Sequence, residues 1–314
     1  MVNHRSRGVF TATVLSNKRI GECFHTMQLE FTDRGAEAFA NFRPGQFLQI
    51  DVSTLALPRE DRIAPELRDA SRRSVLLRRP FSFADVTVEG DKTRAELLYC
   101  VLGPASVRMT TLTAGDPLSI VGPLGNGFHV PKDKRTALLV VGGMGAPPIR
   151  CLAKALKAER PDMEVIALVG AKSAAALPFE GDFDHVSRKV ECLIPAFAKL
   201  GIPSAVATDD GSAGYRGFIT ERLALWLNEH ATLPPARTII CACGPESMLA
   251  AVAHLAKERN IDCQVSMERR MACGIGLCQS CAVECRVDGS DETAYKLCCQ
   301  DGPVFDARTV VFEK

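Results

Sequence analysis

Hydrophobic positions follow two different periods along this chain. Over residues 7 to about 130, apolar and polar side chains alternate in short runs, most clearly at Met27, Leu29 and Phe31 and again at Leu48, Ile50 and Val52. A period of two half-buries a strand. Pro44-Gly45 and Gly115-Asp116-Pro117 punctuate the runs with turn-forming residues. Short strands separated by such turns predict an antiparallel β-barrel for the N-terminal part. Residues 53–77 interrupt the pattern: nine of them are charged, and Pro58 and Pro65 lie among them. A solvated, partly disordered loop is expected there.

Beyond Thr136 the period changes. Residues 137–141 read as a buried strand, then a glycine turn, then a helix with Ile149, Leu152, Ala153 and Leu156 on one face. Further strands are expected at residues 164–169, 204–208, 238–242 and 263–267, with helices between them whose stripes, such as Met248, Val252 and Leu255, face a core. Alternating strands and helices predict a parallel sheet with right-handed crossovers. The expected order is therefore an antiparallel β-barrel over residues 1–132, an α/β parallel-sheet nucleotide-binding domain over 133–265, and a small cysteine-rich module over 266–314.

Cysteine spacing supplies the strongest chemical signal. Six of the thirteen cysteines fall between Cys273 and Cys299. Cys273, Cys278 and Cys281 are separated by four and two residues, the plant-type ligand run for a [2Fe-2S] cluster. Gly274 and Gly276 allow the tight backbone that such a loop needs. On spacing alone Cys285, Cys298 and Cys299 are each in reach as fourth ligand. A zinc knuckle usually uses two Cys or His pairs, and no histidine lies nearer than His254. A disulfide knot fits poorly with a chain whose start carries no apolar signal segment and whose expected compartment is the cytoplasm. The other seven cysteines, Cys23, Cys100, Cys151, Cys192, Cys241, Cys243 and Cys263, lie in mostly apolar surroundings and read chiefly as core fillers.

Composition narrows the partners. A net charge of +1 gives no broad attraction to nucleic acid or anionic membrane, and no apolar run approaches the ~20 residues of a membrane-spanning helix. Ligands are thus sought at local sites. Arg79-Pro80-Phe81-Ser82 begins a barrel strand, where a cation and a hydroxyl suit a phosphate and a flavin ring, although an edge strand also starts this way for purely structural reasons. Gly103-Pro104-Ala105-Ser106 precedes an expected short helix over 107–112. Gly142-Gly143-Met144-Gly145 follows a strand and opens a helix, the layout that offers backbone amides to a dinucleotide, although it departs from the usual glycine fingerprint. Residues 122–128 form a glycine-rich corner that reads as a plain turn. Asp209 and Asp210 read as a turn with side-chain hydrogen bonds. Cys243, between a buried strand and a helix start, suits either a packed small hydrophobe or a thiol beside a nicotinamide.

Together these motifs resemble the ferredoxin-reductase-like flavoproteins, and more closely the electron-transfer subunits of heteromeric dihydroorotate dehydrogenases. The resemblance runs nearly end to end. It rests on Arg79-Pro80-Phe81-Ser82, the 122–128 corner, Gly142-Gly143-Met144-Gly145, Thr208-Asp209-Asp210-Gly211-Ser212, Cys243-Gly244-Pro245, and the run from Met267 through Cys273 to Gly276. Its most specific part is Cys299-Gln300-Asp301-Gly302-Pro303-Val304-Phe305, which by the family pattern selects Cys299 as the fourth ligand. The resemblance implies FAD on the barrel along Arg79, Pro80, Phe81 and Ser82, with Gly103 and Ser106 at the pyrophosphate. It implies NAD at Gly142, Gly143, Gly145, Cys243, Gly244 and Pro245, and a [2Fe-2S] cluster on Cys273, Cys278, Cys281 and Cys299. It also implies an oxidoreductase subunit of pyrimidine biosynthesis, working with an FMN-containing catalytic subunit in a heterotetramer. Lys172 and Ser173, where the adenine ribose would be read, leave NAD and NADP both open. A reductase subunit of the ferredoxin-NADP reductase or hydrogenase type is the rival within this architecture. A zinc-stabilised module without catalysis is the rival from another class.

Overall fold

The computed structural model describes residues 7–181, 183, 194–287, 289–290 and 292–312. Cys192 lies outside them. The N-terminal part contains β1 (Gly8–Ile20), β2 (Phe24–Phe31), α1 (Asp33–Ala40), β3 (Phe47–Ile50), α2 (Arg68–Ser71), β4 (Arg79–Glu89), β5 (Lys92–Cys100), α3 (Pro104–Met109) and β6 (Pro117–Leu124). Its six strands close into a barrel in the order β1-β2-β5-β4-β3-β6, every pair antiparallel. Met27, Leu29, Phe31, Leu48 and Ile50, the alternating positions of the sequence, are fully buried inside it. α1 closes the barrel with Phe39, which stacks on Phe31 and meets Phe83 edge-on.

Two expectations need correction here. Residues 53–77 form a packed flap: single turns at Glu60–Arg62 and Pro65–Leu67 lead into α2, and Ile63, Ser71 and Val75 are buried. Arg108 of α3, itself buried, donates from Nη1 to the Ser71 carbonyl at 2.8 Å, and Arg72 pairs with Glu60 at 3.1 Å. Charge content misled because it counts charges without their direction, and three anchors suffice to dock the segment. Arg108→Ala is expected to free the flap, raising the rate of tryptic cleavage at Arg68 and Arg72 by about tenfold for ~1.5 kcal/mol of charged hydrogen bonding lost. Limited proteolysis of the folded chain measures this. The second correction concerns α3, which begins at Pro104 rather than at 107. Pro104 occupies the first turn, and the Ser106 hydroxyl accepts the amides of Leu102 and Gly103 at 2.9 and 3.2 Å.

The second part contains β7 (Thr136–Gly142), α4 (Ala146–Glu159), β8 (Glu164–Ala171), α5 (Pro195–Ala198), β9 (Ser204–Thr208), β10 (Tyr215–Arg216), α6 (Ile219–Glu229), β11 (Thr238–Cys243), α7 (Glu246–Glu258) and β12 (Asp262–Ser266). The chain then runs through β13 (Ala282–Arg286), β14 (Thr293–Leu297) and β15 (Val304–Asp306). A seven-stranded sheet has the order β10-β9-β8-β7-β11-β12-β15. It is parallel except for β15, which pairs antiparallel with β12. The central strand β7 is buried along its whole length, as expected of a sheet covered on both faces. β15 thus ties the cysteine-rich segment into the sheet, while β13 and β14 form a separate hairpin.

Barrel and sheet meet through α4. Lys154 reaches Asp85 at 2.6 Å and Thr87 at 2.8 Å, and Arg150 pairs with Glu96 at 3.1 Å. Among the described residues no helix is long and apolar enough to cross a membrane.

Candidate functional site

One cleft of about 310 Å³ is walled by all three parts of the chain. Pro80, Phe81 and Ser82 of β4 and Tyr99 and Cys100 of β5 come from the barrel. Met144 comes from the turn after β7, Pro147 from the start of α4 and Cys243 from the end of β11, and Glu268, Arg269, Met271 and Pro303 come from the cysteine-rich segment. The volume stands at the lower end of the ~300–1,000 Å³ of cofactor clefts, and the apolar wall with a few polar groups is their usual composition. The cleft opens where β7 and β11 end, the edge at which parallel sheets take ligands.

Of the flavin residues named from sequence, Pro80, Phe81 and Ser82 line this cleft. Arg79 does not: its Nη1 donates to the carbonyls of Leu77 and Arg78 at 2.8 and 3.2 Å. Gly103 and Ser106 also stand off it, and the Ser106 hydroxyl is spent on its own turn, although the preceding Leu102 is on the wall. Burial pushes the Cys243 thiol up, and the Glu268 carboxylate adds to the rise. Desolvation in the cleft raises Glu268 as well, and because the residue as a whole is exposed the rise is small. A neutral, buried Cys243 thiol matches the packed reading of that residue while leaving it on the cleft wall.

The glycine turn after β7 packs directly on the turn after β11. A Cβ on Gly145 would stand 1.9 Å from the Cys243 carbonyl oxygen, and one on Gly142 2.6 Å from Met248 Sδ. Only glycine lets the two turns come so close. Gly143 differs, with φ +49° and open space where a side chain would go. Gly244 lies against Gly142, and Pro245 caps α7. Asp210 forms the expected turn, its carboxylate accepting the Ser212 amide at 2.9 Å and hydroxyl at 2.6 Å.

The cysteines separate into two pairs. The Cys278 amide points at Cys273 Sγ at 3.4 Å, and the Cys299 amide at Cys281 Sγ at 3.4 Å. The exposed Cys278 thiol is pulled down to about 6, first by the Ser280 hydroxyl and then by backbone amides. Burial, with the thiol of Cys281 beside it, pushes Cys299 up to about 12. Cys298 faces the other way, its thiol donating to the Met267 carbonyl at 3.2 Å. Cys285 is buried on β13, bridged to Val310 and paired with Ala294. Among the described residues no three His, Cys, Asp or Glu groups close around a single point as for one metal ion.

Three supports of this loop escape sequence reading. Gln49 of β3, buried in the barrel wall, lies where a Cβ on Gly274 would go and donates to the Ala272 carbonyl at 3.4 Å. Gln300 stands in the same way against Gly276. The third is Asn126 in the glycine-rich corner, which is more than a plain turn. Its Nδ2 donates to the carbonyls of Asp301 and Val304 at 2.7 and 3.0 Å, and its Oδ1 accepts the Val304 amide at 3.0 Å. An asparagine between two glycines was the available signal. Asn126→Ala is expected to lower stability by about 2–4 kcal/mol, at ~1 kcal/mol per bond plus the unsatisfied backbone groups. Iron retention and the thermal midpoint should fall together.

Residues 268–311 match the family profile described as the iron-sulfur cluster binding domain of dihydroorotate dehydrogenase B, and residues 139–254 match the oxidoreductase NAD-binding domain. Curated relatives named "dihydroorotate dehydrogenase B (NAD(+)), electron transfer subunit" are similar over almost the whole chain. The one from Caldanaerobacter subterraneus subsp. tengcongensis is 33% identical over 301 residues, covering 96% of this chain and 98% of the relative. That from Geobacillus kaustophilus is 34% identical over 302 residues, covering 95% and 97%. Among solved structures, an NADH-dependent reduced ferredoxin-NADP oxidoreductase superposes with TM-score 0.68 at 24% identity, over 96% of this chain and 90% of that one. A ferredoxin NADP+ reductase from Neisseria gonorrhoeae with bound FAD and NADP gives TM-score 0.54 at 15% identity, over 84% and 95%. At such identities these two speak for the fold.

Proposed function

This chain belongs to the family of the dihydroorotate dehydrogenase B electron transfer subunits, and on that premise we propose that it hands electrons from an FMN-containing catalytic subunit to NAD+. The process served is pyrimidine biosynthesis, and the compartment is the cytoplasm. Its working form is a complex of the two subunits, a heterotetramer. When bound, nicotinamide supplies two-electron hydride exchange, a [2Fe-2S] cluster one-electron exchange, and FAD both.

The observation that carries this reading is the single cleft walled by barrel, sheet and cysteine-rich segment. Pro80, Phe81, Ser82 and Tyr99 would hold the flavin ring on the barrel side. Gly142, Gly143 and Gly145 open the sheet side for NAD, with Cys243, Gly244 and Pro245 beside it. Met271 and Pro303 on the remaining wall lie close in sequence to Cys273 and Cys299, so that wall is continuous with the cysteine loop. The apolar wall excludes water from the ring, and Ser82, Ser266, Glu268 and Arg269 are among its polar groups.

The donor set fits the cluster. A four-coordinate iron in a two-iron, two-sulfide core needs two thiolates, so the core needs two pairs. Cys273 with Cys278 and Cys281 with Cys299 are such pairs. The Cys281–Cys299 pair is also buried, and burial that pushes the Cys299 thiol up suits a cationic centre that compensates its thiolate.

The test is anaerobic purification with iron, sulfide, zinc and flavin quantitation, then electron paramagnetic resonance after dithionite. About two irons and about one FAD per chain, with a rhombic one-electron signal, are expected. Adding the FMN-containing catalytic subunit should give dihydroorotate-dependent NAD+ reduction that this chain alone lacks. A colourless protein holding only zinc would end the proposal.

A further inference from the structure

Two cysteines outside the cluster loop stand apart from the core-filling role that their apolar neighbours suggest. Cys23 lies in the turn before β2 and Cys100 ends β5, and their sulfurs are 3.1 Å apart. Phe24 and Cys100 are ladder partners, and the Val101 amide donates to the Cys23 carbonyl at 2.8 Å. Cys23, in the turn, departs from the alternation of the ladder, so its sulfur reaches the face of Cys100 instead of the opposite one. Their backbones run side by side at the ~4.5–5.5 Å of an antiparallel pair, within the reach of a disulfide. Both are half-buried, whereas Cys151, Cys241, Cys243 and Cys263, the other described cysteines before the cluster module, are buried. Cys241 and Cys263 also neighbour each other across strands, but inside the sheet where no reagent reaches.

We infer that Cys23 and Cys100 are a reversible dithiol–disulfide site of the barrel, reaching the cleft wall through Cys100, oxidised by thiol–disulfide exchange with a low-molecular-weight disulfide. The thiolate of Cys23 attacks one sulfur of the small disulfide, forming a mixed disulfide and releasing one small thiol. Cys100 then loses its proton to solvent and displaces the second small thiol, closing the Cys23–Cys100 bond. Two protein thiols are oxidised and one small disulfide is reduced to two thiols, so two electrons and two protons leave the pair. Burial and the adjacent Cys23 sulfur push Cys100 up to about 12, so it carries little thiolate before the exchange. Cys100 lines the cleft between Tyr99 and Leu102. The closed bond therefore ties the turn after β1 to the cleft wall, at the point where the chain leaves β5 for α3.

The test uses the whole chain with its metal and flavin content intact, equilibrated anaerobically in glutathione buffers of graded redox potential. Free thiols are then trapped by alkylation and the peptides mapped by mass. A Cys23–Cys100 linked peptide should replace the two alkylated ones in a single two-electron transition and be reversed by dithiothreitol, with the iron content constant. In Cys23→Ser the Cys100 peptide should never become cross-linked. If wild-type Cys23 and Cys100 remain separately alkylated until iron is lost, or if Cys100 links only to a cysteine of the 273–299 loop, the pair is packing alone and the inference falls.

Discussion

Cys299→Ser is expected to cut the iron content of the purified chain to below about one tenth of wild type, whereas Cys298→Ser keeps it. Removing a partner that merely supports a ligand already costs 10–100-fold in metal affinity, so losing a ligand should cost at least as much. The two neighbours differ in direction. Cys299 lies against Cys281 and feels the Cys273 sulfur, while Cys298 turns into the core and donates to the Met267 carbonyl. Cys298→Ser replaces one donor with another at the same carbonyl, in a site where burial pushes the thiol up. Iron and sulfide assays with paramagnetic resonance read both variants. Retention of the signal in Cys299→Ser with its loss in Cys298→Ser would reverse the assignment, and loss in Cys285→Ser alone would move it to β13.

Gly145→Ala is expected to lower stability by about 3 kcal/mol, the upper part of the usual range for overpacking. It should also slow NADH-dependent flavin reduction by about 10²-fold, the scale of a 1 Å misplacement. The added methyl would stand 1.9 Å from the Cys243 carbonyl oxygen and 2.7 Å from the Gly244 amide nitrogen. Both are backbone atoms, so the two turns must separate and the side of the cleft proposed for nicotinamide moves with them. Gly143→Ala is the control: it meets no atom, and its left-handed φ costs an alanine about 1–2 kcal/mol. Thermal midpoints and single-turnover reduction by NADH distinguish the two. Equal, small effects in both variants would mean that close packing of the turns does not shape the site.

The sequence by itself determined the barrel and the sheet and marked three cysteines as candidate ligands, because each signal is local. Alternation places Met27, Leu29 and Phe31 on one face of a strand, and the Cys273-x4-Cys278-x2-Cys281 spacing is read within a single loop. Tertiary structure alone decided the rest. That Asn126 holds Asp301 and Val304 depends on chain segments about 175 residues apart, and no local period reports such a pairing. Whether Cys298 or Cys299 faces Cys281 rests on the tight turn after β14, where adjacent side chains diverge. The flap over residues 53–77 looked unstructured because composition cannot show that Ser71 and Val75 find buried partners on the barrel. The cleft is the clearest case. Its walls come from three separate parts of the chain, and hydrophobic patterning says that each part is buried without saying against what.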